Sequence, residues 1–364
     1  MKIAFAHDYL YEYGGAERVL EVLHEVWPEA PVYTSIFDPD AISAPIREMD
    51  VHTTFLQRLP RATRLAKHYF FLYPLAFEQL DLRQYDVVLS ISSYMSKAVL
   101  TTERARHICY CLTPPRFLWG YETYLHRSSF NPLARIALPF LTSGVRLWDK
   151  IAADRVDQFV SISRTVQARV AKAYRRPSEV IYPPVDTAAF RQSSHSPGQY
   201  FLVVSRLGGY KRVDLAVTAF TELGLPLKIV GTGGELARLR GMAGPTVEFL
   251  ERVPDAELTR LYQGCRALIF PGEEDFGLVL LEAQAAGRPV IAYAAGGALE
   301  TVIPGQTGEL FASQTAEALI EQLRHFDDAS YSPAACETNA ARFDKEVFKQ
   351  RMREIVHLAH NGRY

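Results

Sequence analysis

Short apolar or β-branched runs alternate along this chain with longer segments whose apolar residues recur at helical spacing. Residues 2–6, 86–90, 107–111 and 156–161 read as strands, and residues 16–26 as the first amphipathic helix. Strands that are apolar throughout are covered on both faces, so the alternation predicts a parallel sheet between layers of helices. Residues 180–186 contain the double proline Pro183-Pro184 and end this first unit, and the polar residues 191–199 read as a linker. The alternation restarts with strand 200–204, helix 213–223, strand 227–230 and helix 235–240. Strand 247–250, helix 256–263, strand 267–270, a helix from Leu278 to Ala286 and strand 290–293 follow. The predicted fold is α/β, with two doubly wound, Rossmann-like domains at 1–186 and 187–344. A terminal segment, 345–364, carries a helix at 345–360 expected to pack back across the cleft between them.

The length of 364 residues suits two such domains, and 48% hydrophobic with 22% charged residues is a globular composition. A formal net charge of -1 gives no global field for nucleic acid, so no nucleic-acid partner is expected. Cys109, Cys111, Cys265 and Cys336 lack zinc spacing, and the C-x-C of Cys109 and Cys111 is not a redox C-x-x-C. Reduced thiols in a cytoplasm are the expectation. The first residues read as a strand and not as a secretory leader, and no apolar run is long enough for a membrane span.

The sharpest motif is Glu274-Asp275-Phe276-Gly277-Leu278-Val279-Leu280-Leu281-Glu282, two glutamates with seven residues between them. Glu274 falls in a loop at a helix mouth, and Glu282 lies inside that helix. Free N–H groups and partial positive charge at a helix start attract phosphate. Flanking acids suit the hydroxyls of a sugar and a ribose, the layout that a nucleotide sugar requires. Arg206 and Lys211 follow the first strand of the second domain, where a planar fork and a point charge can clamp a diphosphate. Gly231, in Gly231-Thr232-Gly233-Gly234, opens a turn that lets backbone approach a ligand closely. Gly14 and Gly15 follow the tyrosine-rich segment from Tyr9 to Tyr13, either as phosphate-facing N–H groups or as a flexible first turn. Asp38-Pro39-Asp40 reads as a turn, so no metal and no other cofactor is expected.

Arg58, Arg61, Arg64, Lys67 and His68 alternate with apolar and aromatic residues between Phe55 and Tyr73. Such a stretch either docks on anionic lipid headgroups or is a half-buried helix with snorkelling cations. Residues 127–150, with Arg127, Arg135, Phe140, Arg146 and Trp148, form a second, weaker example. The expected location is cytoplasmic, with peripheral contact at the inner face of the membrane depending on these stretches.

Taken together, these residues resemble the retaining glycosyltransferases of family four, which have the GT-B fold. The resemblance rests on Glu274 and Glu282 followed by Ala283-Gln284-Ala285-Ala286-Gly287-Arg288-Pro289-Val290, on Gly296-Gly297-Ala298-Leu299-Glu300-Thr301-Val302, and on Arg206 with Lys211. His7-Asp8-Tyr9-Leu10, Gly14-Gly15-Ala16-Glu17-Arg18-Val19 and residues 180–186 look like bacterial mannosyltransferases of the WbaZ type. That resemblance implies transfer of mannose from GDP-mannose to a lipid-linked or oligosaccharide acceptor, in O-antigen or exopolysaccharide synthesis. It implies that Arg206 and Lys211 neutralise the leaving diphosphate and that Glu274 holds hydroxyls of the transferred sugar. Glu282 would hold the ribose, and N–H groups of Phe276, Gly277, Leu278 and Val279 the distal phosphate. Arg252 and Val253 would meet the base, and Gly15 would add a contact from the first domain. One departure is plain. Relatives usually carry a histidine in a Cys-His-Thr-Pro segment beside the reacting sugar, and here Leu112 stands in Cys111-Leu112-Thr113-Pro114. Either the leaving phosphate takes the acceptor proton, or His7 or Arg116 compensates, or activity is altered or lost. The rival readings are a UDP-sugar enzyme of the same fold, a non-catalytic nucleotide-sugar-binding subunit and, weakly, a dehydrogenase lacking its G-x-G-x-x-G turn.

Overall fold

The computed structural model describes residues 1–120, 132–191 and 198–362. Arg127 lies outside the described residues, as does most of the linker stretch; of Arg135 only the helical backbone is described. The chain divides into two compact units: Met1–Pro184 with the segment from Phe348 onward, and Val185–Val347.

Among the described residues the first unit holds a seven-stranded sheet. Its strands are β1 (Ile3–His7), β2 (Val32–Thr34), β3 (Val51–Thr53), β4 (Val87–Ser92), β5 (Arg106–Cys111), β6 (Gln158–Ser161) and β7 (Ser178–Val180). Their order is β3-β2-β1-β4-β5-β6-β7, and every pairing is parallel. The second unit holds β8 (Phe201–Val204), β9 (Leu227–Val230), β10 (Val247–Glu251), β11 (Leu268–Phe270), β12 (Val290–Tyr293) and β13 (Gly308–Phe311). These run β10-β9-β8-β11-β12-β13, again all parallel. Both sheets are doubly wound, and strand order reverses between β1 and β4 and between β8 and β11. A crevice opens at the carboxyl ends of the strands at such a reversal.

Apolar continuity along the central strands has its reason in this layering. All five residues of β1 and all six of β4 are buried, because helices cover both faces. The second unit packs on each side of its sheet. Phe201, Phe220, Ile229 and Leu319 form one cluster, and Leu202, Tyr262, Leu268 and Leu280 the other. The short strands β2 and β3, only three residues each, escape the periodicity reading for want of length.

The helix Lys345–His360 buries Phe348, Met352, Ile355, Val356 and Ala359, one stripe at helical spacing. Phe348 packs edge-on against Tyr110 of β5 at 5.5 Å, and Lys349 pairs with Glu25 at 2.6 Å. These contacts seat the helix on the first unit. The stretch 55–78 is a series of short turns: 3-10 helices Phe55–Arg58 and Ala66–Leu72, and α-helices Ala62–Leu65 and Tyr73–Glu78. It buries Leu56, Ala66 and Tyr73 and leaves Arg58, Arg61, Arg64, Lys67 and His68 exposed. All four cysteines are buried and free. Among the described residues no helix is long and apolar enough to cross a membrane.

Candidate active site

The carboxyl edge of the second sheet collects most of the residues singled out above. β8 ends at Val204, Arg206 follows on an exposed loop, and Lys211 closes the 3-10 turn Gly209–Lys211 before helix Val213–Leu223. β11 ends at Phe270, and Glu274 stands in the loop after it. The Lys211 ammonium donates a hydrogen bond to Oε1 of Glu274, a residue 63 positions away. Side-chain exposures of 13% and 25% leave both groups reachable from solvent. The ammonium also lies 5.1 Å from the centre of the Tyr210 ring, within reach of the electrostatic attraction of an aromatic face for a cation. A recess at this point is lined by Val203, Ser205, Lys211, Phe270, Gly272 and Glu274. It sits at the strand-order reversal, where topology alone places a ligand crevice.

Glycines let these loops lie against one another. A Cβ on Gly272 would come 2.7 Å from the Lys211 carbonyl oxygen, and one on Gly231 only 1.8 Å from that of Ser205. The close approach at Gly231 is therefore to the neighbouring main chain, which fixes the loop that carries Arg206. The backbone of Glu274 is held in turn by Gly297, whose N–H donates to its carbonyl at 2.9 Å.

Gly277, at φ +85°, stands immediately before the helix Leu278–Ala285, and no side-chain hydrogen bond caps that start. Phe276 is buried, while Leu278 and Val279 in the first turn are half-buried. Glu282 differs sharply from Glu274. It is 3% exposed, and its Oε2 accepts a 2.6 Å hydrogen bond from the Tyr262 hydroxyl. The two glutamates thus occupy different environments, one at the recess and one in the packed interior. Arg252 and Val253 follow β10 on the same sheet edge, the first exposed and the second half-buried.

In the first unit, His7, Tyr9, Gly14 and Gly15 follow β1, and Leu112 and Arg116 follow β5, at the carboxyl edge of that sheet. Gly14 precedes helix Gly15–Val26 in an extended conformation, and Gly15 is exposed. His7 is 2% exposed, its Nδ1 lies 3.0 Å from the Tyr9 carbonyl, and its Nε2 lies 3.9 Å from Oε1 of Glu17. Burial holds its imidazole below the ordinary histidine pKa, against the opposing pull of Asp8. Leu112 is half-buried and pinned by its N–H to the Ser92 carbonyl at 2.8 Å. Arg116 is exposed at the start of the short helix Arg116–Trp119. Asp38 accepts from the Asp40 N–H at 3.2 Å, a side-chain turn as read from the sequence.

Sequence reasoning gave no role to Asp8, Tyr262, Gly272 or the pair Gly296-Gly297. Asp8 accepts from the N–H groups of Ser93, Met95 and Ser96 at 2.6–2.8 Å, a contact across 85 or more positions with no local signal. The glycine pair did carry a signal, two adjacent glycines after a predicted strand.

Known proteins share this build. Residues 13–189 match the Glycosyltransferase Family 4 model, and residues 186–343 match Glycosyl transferases group 1. Together these matches run from residue 13 to residue 343, so nearly the whole chain is made of two glycosyltransferase domains, a family 4 domain followed by a group 1 domain. Among curated proteins it is 30% identical over 217 residues to the D-inositol 3-phosphate glycosyltransferase of Mycobacterium avium, covering 54% of this chain and 49% of that one. It is 35% identical over 145 residues to the glycogen synthase of Deinococcus radiodurans, 38% of this chain and 32% of that one. The chain spans about half or less of the length of such relatives. Sucrose-phosphate synthase from Thermosynechococcus elongatus superposes with a TM-score of 0.78 at 18% identity, covering 100% of both chains. HepE of Anabaena in complex with UDP gives 0.74 at 19% identity, covering 98% of this chain and 100% of that one. At these identities the likeness is one of fold, the paired doubly wound units of the GT-B class.

Proposed function

We propose that this chain is a retaining hexosyltransferase that uses a nucleoside diphosphate sugar. The observation that carries the reading is the Lys211–Glu274 pair, partly exposed at the strand-order reversal of the second sheet. A lysine ammonium has three donors, so Lys211 can keep Glu274 in place and still bind a phosphate oxygen. Arg206 adds a second cation on the same edge. Charge gathers on the departing diphosphate as the bond from the sugar to phosphate breaks, and fixed cations there lower the barrier. Glu274 accepts from hydroxyls of the transferred sugar. The acceptor oxygen bonds to the anomeric carbon on the face the phosphate leaves. Its proton passes to a leaving phosphate oxygen, because Leu112 has no proton to exchange. Glu282 retains little exposed surface for a ribose, and its bond to Tyr262 gives it a second task, holding helix Leu278–Ala285.

The donor we infer is GDP-mannose, from the likeness to WbaZ-type enzymes, with a lipid-linked or oligosaccharide acceptor in surface polysaccharide synthesis. A UDP-sugar is the second reading, favoured by the solved relative that holds UDP. No metal enters the scheme, since Lys211 and Arg206 supply the positive charge. Contact with an anionic membrane surface is proposed through the exposed Arg58, Arg61, Arg64 and Lys67, beside Phe71 at 52% and Leu75 at 49% exposure. The test of the donor assignment is transfer assayed with GDP-mannose and with UDP-glucose against isolated lipid-linked glycans. Retained product from GDP-mannose supports the first reading, product from UDP-glucose the second, and binding without turnover on any acceptor leaves only a binding subunit.

A further inference from the structure

The spacing of Glu274 and Glu282 becomes a fixed geometry only if the loop and the helix bearing them are held to a common support. The second unit contains such a support. Gln284, Thr301 and Asn339 are 0%, 0% and 3% exposed. Gln284 Nε2 donates to the Thr301 carbonyl at 2.9 Å, and Asn339 Nδ2 donates to the same carbonyl at 2.8 Å and to Gln284 Oε1 at 2.6 Å. Arg342 donates to Asn339 Oδ1 at 2.9 Å, so the Asn339 amide is engaged at both ends. The Thr301 hydroxyl donates to the Gly297 carbonyl at 2.9 Å, and the Gly297 N–H donates to the Glu274 carbonyl at 2.9 Å. Gly296 and Gly297 lie so close to the Glu274 loop that a Cβ on either would meet the carbonyl oxygen of Glu274 or Phe276 at 2.1 or 2.0 Å.

We propose that Thr301, Gln284 and Asn339 are positioning residues for the reaction assigned above, holding the Glu274 loop and the Glu282 helix in one register. The proposal rests on that functional reading. Gln284 grips the helix two residues past Glu282, and Thr301 grips the turn on which Glu274 rests. Helix Pro333–Ala341, through Asn339, closes the network. Satisfied buried networks of this kind specify one arrangement, and a partly satisfied one does not. None of the three touches the recess lined by Lys211 and Glu274, so their effect on transfer is indirect.

Thr301→Val keeps shape and removes only the hydroxyl bond to Gly297. It should lower kcat about tenfold with donor KM within about twofold, because loss of alignment at the reacting centre falls on the chemical step. Thr301→Ser should restore most of kcat. Leu239→Ala, in the core of the same unit and outside the network, should lower the melting temperature without changing the ratio of kcat to KM. Hydrogen exchange at the Gly297 amide supplies a second readout, expected to accelerate in Thr301→Val and not in Leu239→Ala. Wild-type kcat in a folded Thr301→Val chain would overturn the proposal, as would a kcat loss matched by Leu239→Ala at equal stability. A wild-type chain that transfers no sugar sinks the functional reading instead. Unchanged Gly297 exchange in Thr301→Val would then separately remove the network's hold on the loop.

Discussion

Each unit places a lysine in a 3-10 turn just after a strand that flanks its order reversal, and each pairs that lysine with a carboxylate. In the first unit Lys97 meets Asp149 at 2.5 Å, with side-chain exposures of 1% and 0%. In the second, Lys211 meets Glu274 at exposures of 13% and 25%. The neighbours account for the contrast. Asp149 also accepts from Trp119 Nε1 at 2.8 Å and from the Tyr174 hydroxyl at 2.9 Å, while Lys97 donates to the Tyr94 carbonyl at 3.0 Å. Large aromatics cover that pair, and its bonds all run inward. Glycines crowd main chain around the other pair and leave its charges at the recess. Similar topology therefore yields a structural brace in one unit and a candidate binding site in the other.

Breaking the brace should produce the largest effect. Lys97→Met leaves Asp149 buried without its counter-charge, and removing one partner of a buried pair costs about 3–5 kcal/mol. The urea midpoint of unfolding should drop accordingly; a variant as stable as the wild type would show that the pair braces nothing. Lys211→Ala should reverse the pattern. An ion pair that solvent reaches contributes about 0–1 kcal/mol to stability, yet loss of a charge-stabilising donor costs on the order of 10²–10³ in rate. A Lys211→Ala enzyme with full turnover would break the comparison outright.

A third set of cations sharpens it. Arg58, Arg61 and Arg64 are exposed on the first unit. Basic residues near an anionic lipid surface each contribute about 1 kcal/mol. Reversal of all three to glutamate should therefore release the protein from phosphatidylserine vesicles and leave turnover on a soluble acceptor unchanged. Equal sedimentation with vesicles before and after reversal would remove the membrane contact.

Acid should also distinguish the units. His107 of β5 is 0% exposed beside Ser90 at 2.9 Å, and burial, then the charges of Arg155 and Lys97, push its imidazole down to about 3. The unfolded chain takes up that proton below about 6.5 while the folded one does not. Stability contributed by neutral His107 is therefore present above that value and is lost as pH falls toward 3, at about 1.4 kcal/mol per pH unit. His7 acts in the same direction. Melting curves between pH 7.5 and 5 should show the first unit weakening, with a shallower slope in His107→Asn; an unchanged slope would contradict the assignment.

Much of this was legible in the sequence because its causes are local. Continuous apolar runs announced the strands buried on both faces, and the spacing of Glu274 and Glu282 with Gly277 between them announced a loop followed by a helix start. The short strands β2 and β3 carry too few residues for a period, and β13 begins at a glycine that a strand reading disfavours. Arg206 and Lys211 were found from their place after a strand, but that Lys211 would meet Glu274, and that Glu282 would turn to Tyr262, depends on strand order. Asp8 was visible only as part of a motif, because the loop it ties down lies 85 or more positions away. The polar network around Thr301 joins residues up to 55 positions apart and leaves no periodic trace.

The central claim is that the second unit binds the diphosphate of a nucleotide at Lys211. Calorimetric titration of the wild type and of Lys211→Ala with GDP and with UDP tests it most directly. The account predicts saturable binding of a nucleoside diphosphate by the wild type, stronger for GDP if the donor is GDP-mannose, and weakened at least tenfold in Lys211→Ala. Binding of neither nucleotide, or equal affinity in the two proteins, would contradict it.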